Sequence, residues 1–158
     1  MTIEDDKILV LRAIEIAKEG INQGSGPFGA IIAKNGTILA EAVNRVTLDS
    51  DPTAHAEVVA IRKAAKALKS HELHDCTLYC SCEPCPMCLG AIYWAGISRV
   101  VYTCDRHDAA QAGFSDKDIY DEIILDAEKR RIVFKHITDL NGEEVFRTWE
   151  KYESKIPY

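Results

Sequence analysis

One histidine and two cysteines in this chain have the types and the spacing that could hold a metal ion. They are His55, Cys85 and Cys88, and the two cysteines are close enough to share one helical turn. An imidazole together with two thiolates favours zinc over magnesium or calcium, which prefer oxygen ligands. Three protein ligands leave the fourth position of the ion open for water, as in catalytic zinc sites. The sequence therefore predicts one catalytic zinc ion per chain.

Glu57 has the position expected of a base beside such an ion. It follows His55 by two residues at the predicted start of a helix, so its carboxylate can point into the same cavity without binding the metal. The pairing of His55-Ala56-Glu57 with Pro84-Cys85-Pro86-Met87-Cys88 matches the signature of zinc deaminases that act on nucleobases. We therefore expect hydrolytic deamination, with Glu57 as the proton shuttle.

Cys82 leaves other interpretations of the cysteine segment open. With Cys85 and Cys88 it forms a C-x-x-C-x-x-C run that begins like a ferredoxin motif, but Ile92 occupies the position of the fourth cysteine. A redox-active dithiol is one alternative. A structural zinc module is another, because Cys82 could be the fourth ligand of a closed site. We expect Cys82 to be a core residue at a strand end, and the role of the loop residue His107 stays open.

Length, charge and cysteine use limit the class of protein. The chain has 158 residues, which fits a single domain spanning residues 1–158. Its net charge is −6 and its basic residues are scattered, which argues against a nucleic-acid partner. No segment approaches the roughly 18 apolar residues of a membrane span, and no signal sequence is expected. The crowding of most cysteines into one short segment favours reduced thiols and a cytoplasmic location.

Apolar periodicity predicts a domain in which strands and helices alternate. Helices are predicted at about Asp5–Ile21, at Cys85–Ala95 and at Glu143–Tyr152. A further helix is predicted to run to about Leu68, capped by Thr53 or the residues just before it. Strands are predicted at Phe28–Ala33, Thr37–Val43, Thr77–Ser81, Val100–Thr103 and Ile132–Thr138. An Asn-Gly turn joins the first two strands, and a helix joins the third to the fourth as a crossover. The result is an α/β fold with three α/β/α layers and a mixed sheet of about five strands.

Four segments give the chain a resemblance to a known family. They are Gly26-Pro27-Phe28-Gly29-Ala30, Asp51-Pro52-Thr53-Ala54-His55-Ala56-Glu57, the run from Ser81 to Ala95, and Ala112-Gly113-Phe114-Ser115-Asp116. With them the chain resembles the cytidine-deaminase-like superfamily over nearly its whole length and, within it, the bacterial guanine deaminases. The segment around Asp116 and the C-terminal tail ending in Tyr158 are the parts that point to guanine.

The resemblance implies roles for individual residues. His55, Cys85 and Cys88 would bind zinc, and Glu57 would shuttle protons. Five further residues would bind the substrate: Phe28 and Trp94 flank the flat purine, Asn44 hydrogen-bonds its ring edge, and Asp116 and Tyr158 recognise or cover the base. By residue type alone, each of these five also fits a structural role. In the family the C-terminal segment crosses to the other subunit of a homodimer, so Tyr158 would act in trans.

The implied reaction is the zinc-dependent hydrolysis of guanine to xanthine and ammonia, with a small purine base as the partner molecule. The nearest alternative is a tRNA adenosine deaminase, which has the same ligand pattern. The acidic balance and the scattered basic residues argue against RNA. A deaminase of cytosine or guanosine is a further alternative.

Overall fold

The computed structural model describes residues 2–114, 116–138 and 140–157, which form two compact units. The first unit ends at Ile119 and the second begins at Tyr120. The elements of the first unit are, in chain order, α1 (Ile3–Ile21), β1 (Gly29–Lys34), β2 (Thr37–Val43), α2 (Val46–Asp49), α3 (Ala56–Leu68), β3 (Cys76–Cys82), α4 (Pro86–Trp94), β4 (Arg99–Cys104) and α5 (Arg106–Gln111). None of the helices in these ranges has the length and apolar character needed to cross a bilayer.

The sheet of the first unit has four strands in the order β2-β1-β3-β4. Strands β1 and β2 form an antiparallel hairpin whose turn has Asn35 at φ 50° and Gly36 at φ 81°, as the Asn-Gly signal predicts. Strand β1 also pairs antiparallel with β3, whereas β3 and β4 are parallel neighbours joined through α4. The predicted mixed sheet and its crossover are therefore confirmed.

Helices cover both faces of this sheet because the central strands bury side chains on both sides. Ile31 and Tyr79 pack with Leu9 of α1 on one face. Ile32 and Leu78 pack with α3 and α4 on the other. Successive residues of a strand point to opposite faces, so the continuous apolar character of β1 requires two covering layers. The predicted three-layer α/β/α class is confirmed.

Helix α3 begins at Ala56 and its N-cap is His55, not Thr53 or a residue just before it as predicted. The polar atoms of Thr53 are used in the preceding loop, where its backbone N–H and its hydroxyl both donate to the carboxylate of Asp51, at 2.8 and 2.7 Å. Thr53 thus stabilises an Asx turn instead of a helix start. As a consequence, His55 stands at the helix terminus itself.

The second unit is short and has little regular structure. Helix α6 (Lys117–Ile123) begins before it, and within it lie a 3₁₀ turn (Ala127–Lys129) and α7 (Glu144–Lys151). The strand predicted at Ile132–Thr138 is wrong, and the sheet has four strands rather than about five. The segment has the β-branched composition of a strand, but a strand forms only where a neighbouring backbone satisfies its N–H and C=O groups.

Candidate active site

The side chains of His55, Cys85 and Cys88 converge at the first turns of α3 and α4. Their ligand atoms all lie within 4.8 Å of one another. Each sulfur is 3.5 Å from Nδ1 of His55, and the two sulfurs are 3.6 Å apart. Ligands at the usual zinc distances in a tetrahedron are separated by about 3.5–3.8 Å. The spacing and the nitrogen and sulfur donor set therefore both fit zinc.

Two helix termini position these three residues. His55 is the N-cap of α3 and Cys85 is the N-cap of α4, each with extended backbone, and Pro86 occupies the first helical position of α4. The N-terminus of a helix carries partial positive charge, which favours a thiolate. Two hydrogen bonds hold the pKa of Cys85 well below its usual range. The one with Cys88 has the larger effect and the one with His55 the smaller. The site is therefore suited to a cation that binds thiolates.

Glu57 lies in the first turn of α3 and is 7% exposed. It is not a member of the three-residue group that could hold the metal. Burial raises the pKa of its carboxyl to about 7. A carboxyl with such a pKa can both accept and release a proton near neutral pH, which is what a shuttle must do.

A cavity of about 380 Å³ opens beside these groups, and we call it the catalytic cavity. It brings together six of the residues predicted from the sequence: Phe28, Asn44, His55, Glu57, Cys85 and Asp116. Much of the remaining wall is apolar, from side chains such as Val46, Ala109 and Ile119. An apolar cavity with a few convergent polar groups is the usual form of a small-molecule site.

Asn44 reaches this cavity with a fixed orientation. Its side-chain Oδ1 accepts a hydrogen bond from the backbone N–H of Val46 at 3.1 Å. Its backbone N–H donates to the carbonyl of Phe28 at 3.0 Å, and its carbonyl accepts from the hydroxyl of Ser25. Because Oδ1 accepts from Val46, the N–H groups of the Asn44 amide are the donors that this side chain could offer to a ligand in the cavity.

Asp116 contributes an acceptor to the same cavity. Its Oδ1 is buried and has no hydrogen-bond partner among the described residues. Burial, and then the neighbouring Cys85, raise the pKa of the Asp116 carboxyl. A buried polar atom without a partner costs about 1–3 kcal/mol. This atom is therefore suited to receive an N–H group from a bound ligand.

A family model for the zinc-binding region of cytidine and deoxycytidylate deaminases matches residues 3–104. The chain belongs to this deaminase family. The resemblance stated from the motifs is thereby confirmed, and so is the expectation that zinc is the metal of the family.

Individual relatives of the deaminase chain act on different bases. This chain is 53% identical to the guanine deaminase of Bacillus subtilis (strain 168), over 93% of this chain and 95% of that protein. It is 44% identical to a tRNA-specific adenosine deaminase of Buchnera aphidicola, over 63% of this chain and 61% of that protein. The crystal structure of the Bacillus subtilis guanine deaminase superposes with a TM-score of 0.95 at 51% identity, covering 100% of this chain and 99% of that one.

Of the residues predicted to bind substrate, Trp94 does not line the catalytic cavity of this deaminase. Trp94 lies at the last position of α4, is 71% exposed, and does not line the cavity. Tyr158 lies outside the described residues.

Cys82 and His107 have local roles in the deaminase fold. The thiol of Cys82 donates to the carbonyl of Asp105 at 3.5 Å, and burial raises the pKa of Cys82 to about 12. Cys82 does not belong to the metal-binding group, although it lines the cavity. The backbone N–H of His107 donates to the carboxylate of Asp105 at 2.7 Å in the cap of α5.

Sequence reasoning assigned no role to Phe114 and Glu83, which also line the cavity of the deaminase. The ring of Phe114 meets that of Phe28 edge to face, with centroids 4.8 Å apart and planes at 80°. The carboxylate of Glu83 accepts from the backbone N–H and from Nε of Arg106, both at 3.1 Å, and this pair joins the end of β3 to the start of α5. No local spacing signals either contact, because the partners lie far apart in sequence.

Proposed function

We propose that the chain is a guanine deaminase, which converts guanine and water to xanthine and ammonia. One observation carries this proposal: the catalytic cavity combines an amide donor on Asn44 and an unpaired acceptor on Asp116 with Glu57 and the metal-binding group. Guanine offers both an acceptor, O6, and donors on its ring nitrogens and its amine. The identity to a guanine deaminase over nearly the full length of both chains supports the same substrate.

In the proposed reaction His55, Cys85 and Cys88 hold one zinc ion per chain. When bound, zinc supplies the Lewis acidity that makes water a nucleophile near neutral pH. Glu57 takes a proton from the attacking water and gives it to ring N3 as the oxygen adds to C2 of guanine. The same carboxyl then carries the second proton to the amine at C2, which leaves as ammonia. Because Glu57 is buried, the protons it carries do not exchange freely with solvent.

Selectivity for guanine would come from Asn44 and Asp116. The amide of Asn44 donates to an acceptor of the base such as O6, and Asp116 accepts from a ring N–H. Adenine has neither O6 nor a proton on N1, so it would leave a buried polar group of the site without a partner. A site that hydrogen-bonds its substrate rejects an analogue that lacks the group far more strongly than an apolar site does.

Aromatic contacts would complete the site. Phe28 lines the catalytic cavity and would hold the flat base on one side. Trp94 and Tyr158 are proposed to act at the mouth of a site on the partner subunit of a homodimer. The exposure of Trp94 on α4 is compatible with such a contact.

We further propose that residues 1–158 form one deaminase domain per subunit, with the C-terminal segment exchanged between the two subunits. Strand β4 lies at the edge of the sheet, so its outer backbone groups are open to another strand. The segment 132–138 has β-branched and aromatic residues that are exposed, among them Ile132, Val133 and Phe134. Adding this segment to β4 of a second copy would supply the fifth strand.

Mixing two inactive variants tests whether Tyr158 acts in trans. One chain carries Glu57→Gln and the other lacks Tyr158, and the two are co-expressed with different tags. In a mixed dimer with exchanged tails, one site combines an intact Glu57 with an intact Tyr158, so activity should return. If the mixed dimer is as inactive as its parents, the exchange proposal is wrong.

The proposed location is the cytoplasm and the proposed partner is a free purine base rather than a nucleic acid. All six cysteines, each within the described ranges, are free thiols, which suits a reducing compartment. The net charge of −6 disfavours a polyanionic substrate.

A substrate panel tests the proposed activity. The zinc-loaded protein is assayed by ultraviolet absorbance and chromatography against guanine, guanosine, adenine, cytosine and a tRNA anticodon stem. We expect xanthine from guanine, with kcat/KM for the other substrates lower by orders of magnitude. Turnover of another member of the panel while guanine stays intact would refute the proposal.

A further inference from the structure

A second cavity lies directly behind one wall of the catalytic cavity. This side cavity has a volume of about 320 Å³ and lies among α1, β4 and α5. Most of its lining is apolar, including Ile14, Ala17, Ile21 and Ala112. Four residues line both cavities and therefore form the wall between them: Phe28, Cys82, Ala109 and Phe114.

Two aromatic rings supply most of the material of this wall. Ala109 and Cys82 have small side chains, whereas the rings of Phe28 and Phe114 stand edge to face at 4.8 Å. Edge-to-face pairs of this kind have a favoured geometry and are stabilised beyond the area they bury. The wall is thus a specific ring contact, and it separates two spaces of similar size.

The backbone holds both rings at this contact. The N–H of Phe28 donates to the carbonyl of Gly26 at 2.9 Å. The N–H of Phe114 donates to the carbonyl of Ala109 at 3.0 Å, and the turn before it uses Gly113 at φ 91°. Phe114 and Asp116 are two residues apart, and both line the catalytic cavity.

We propose that Phe114 is a specificity-determining residue of the catalytic cavity. Its ring and that of Phe28 exclude any purine base that has a substituent pointing at these two rings. The inference rests on the proposed deamination of guanine. A substituent pressed against the two rings would have to displace them, and overpacking against well-packed side chains is unfavourable. The side cavity already exists, so removal of the Phe114 ring joins it to the catalytic cavity and creates room for the substituent.

Methylated guanines measure the size limit directly. The substrates are guanine and its 1-, 7-, 8- and 9-methyl derivatives, all of which keep the amine at C2. For each protein the readout is kcat/KM for the methylguanine divided by kcat/KM for guanine. This ratio is insensitive to partial unfolding or metal loss, which lower both values equally. In Phe114→Ala we expect the ratio to rise at least tenfold for one isomer.

Three further variants test the position and the size of the effect. Ile14→Ala enlarges the side cavity without touching the wall, because Ile14 lines only the side cavity, and should leave every ratio unchanged. Ala112 lines the side cavity but not the catalytic cavity, so adding Ala112→Leu to Phe114→Ala refills the side cavity and should return the ratio toward that of the wild type. Phe114→Leu should give a smaller rise for the same isomer.

The outcomes separate this proposal from the proposed function. If the wild type deaminates guanine but Phe114→Ala, or Phe114→Leu should the first variant not fold, raises no ratio, the wall does not limit specificity. A rise of the same size in Ile14→Ala would also overturn the proposal. If the wild type does not deaminate guanine, the proposed function fails, and the ratio is then measured with the base that is deaminated and its methyl derivatives.

Discussion

The two units of the molecule differ in where their apolar side chains lie. In the first unit, Ile31, Ile32 and Leu78 are fully buried between the sheet and its helices. In the second unit no described residue is buried, although it contains large apolar side chains such as Val133 and Phe146, which are 89% and 68% exposed. Contiguous apolar surface on a single chain commonly marks an interaction site. The first unit thus has its own core, whereas the large apolar side chains described in the second unit are exposed.

The same difference suggests that the first unit carries out the chemistry and that the second serves assembly. All residues that line the catalytic cavity belong to the first unit. The proposed contribution of the second unit is to complete a dimer and to bring Tyr158 to a neighbouring site. Variants in the first unit should therefore change metal binding and turnover, and variants in the second should change association first.

The strongest test within the first unit compares Cys88→Ala with Cys82→Ala. Both cysteines are buried near the site, but Cys88 belongs to the group that could hold the metal and Cys82 does not. We expect Cys88→Ala to lose bound zinc and all measurable activity, because two ligands do not hold a catalytic ion firmly. Cys82→Ala should keep both. Zinc is measured by atomic emission on purified protein; zinc loss in Cys82→Ala would instead favour a closed structural site.

The next effect concerns Glu57 and separates proton transfer from metal binding. Glu57→Gln preserves the shape of the side chain but removes the proton shuttle. We expect kcat to fall by about 10²–10⁴-fold while the zinc content stays near one per chain. Glu72→Gln, on the exposed loop before β3, is the matched control and should behave as the wild type. A normal rate in Glu57→Gln would exclude it as the shuttle.

The sequence predicts the first unit well because its signals are local. Strand β2 has the predicted bounds, and strands β1, β3 and β4 differ from prediction by a residue or so at each end. The metal-binding group is also predictable from the sequence. The relative position of His55 and Glu57 depends on their spacing at one helix terminus, and that of Cys85 and Cys88 on their spacing at another. The start of α3 was missed because Asp51, outside the helix, takes the polar atoms of Thr53.

What the sequence could not predict depends on contacts between distant segments. The pairing of Phe28 with Phe114 and of Glu83 with Arg106 requires the fold, because each pair joins elements that are separated by strands and helices. The segment Ile132–Thr138 shows the reverse failure. Its pattern is that of a strand, but pattern alone does not say which backbone it pairs with, or whether that backbone belongs to the same chain.

A smaller effect is expected from charges placed in the second unit. Phe134→Asp puts a carboxylate on a side chain that is 53% exposed and that we propose to be buried in the dimer. Desolvating an unpaired charge is unfavourable, so the dimer should weaken by about tenfold or more in its dissociation constant. Lys135→Asp, at the next position, would point to the opposite face of a strand and should weaken it less. Sedimentation at several concentrations measures both, and equal effects would refute the strand-like pairing.

The smallest expected effect on activity comes from an ion pair at the opposite end of the sheet. Asp6 of α1 accepts hydrogen bonds from Nη1 and Nη2 of Arg99, at 2.8 and 2.5 Å, and one from the hydroxyl of Tyr79. Arg99 is the first residue of β4, whereas the metal-binding segment follows the last residue of β3, so the pair is remote from the chemistry. Asp6→Asn should therefore leave kcat within about twofold while it lowers the free energy of unfolding by about 1–3 kcal/mol.

The pH dependence of this stability difference has a definite sign. Hydrogen bonds from Arg99 hold the pKa of Asp6 in the folded protein below its ordinary value of 3.8, against the opposing effect of burial. The folded state binds this proton more weakly than the unfolded state, so the stabilisation is complete above pH 3.8 and is lost as the pH falls through the lower folded pKa. Urea unfolding of wild type and Asp6→Asn should therefore give a gap that is constant near neutrality and narrows in acid. Asp75→Asn, at an exposed carboxylate, should show almost no gap at any pH. If the difference in unfolding free energy widened in acid, the folded protein would favour the protonated form of Asp6. The ion pair would then not anchor α1 to the sheet.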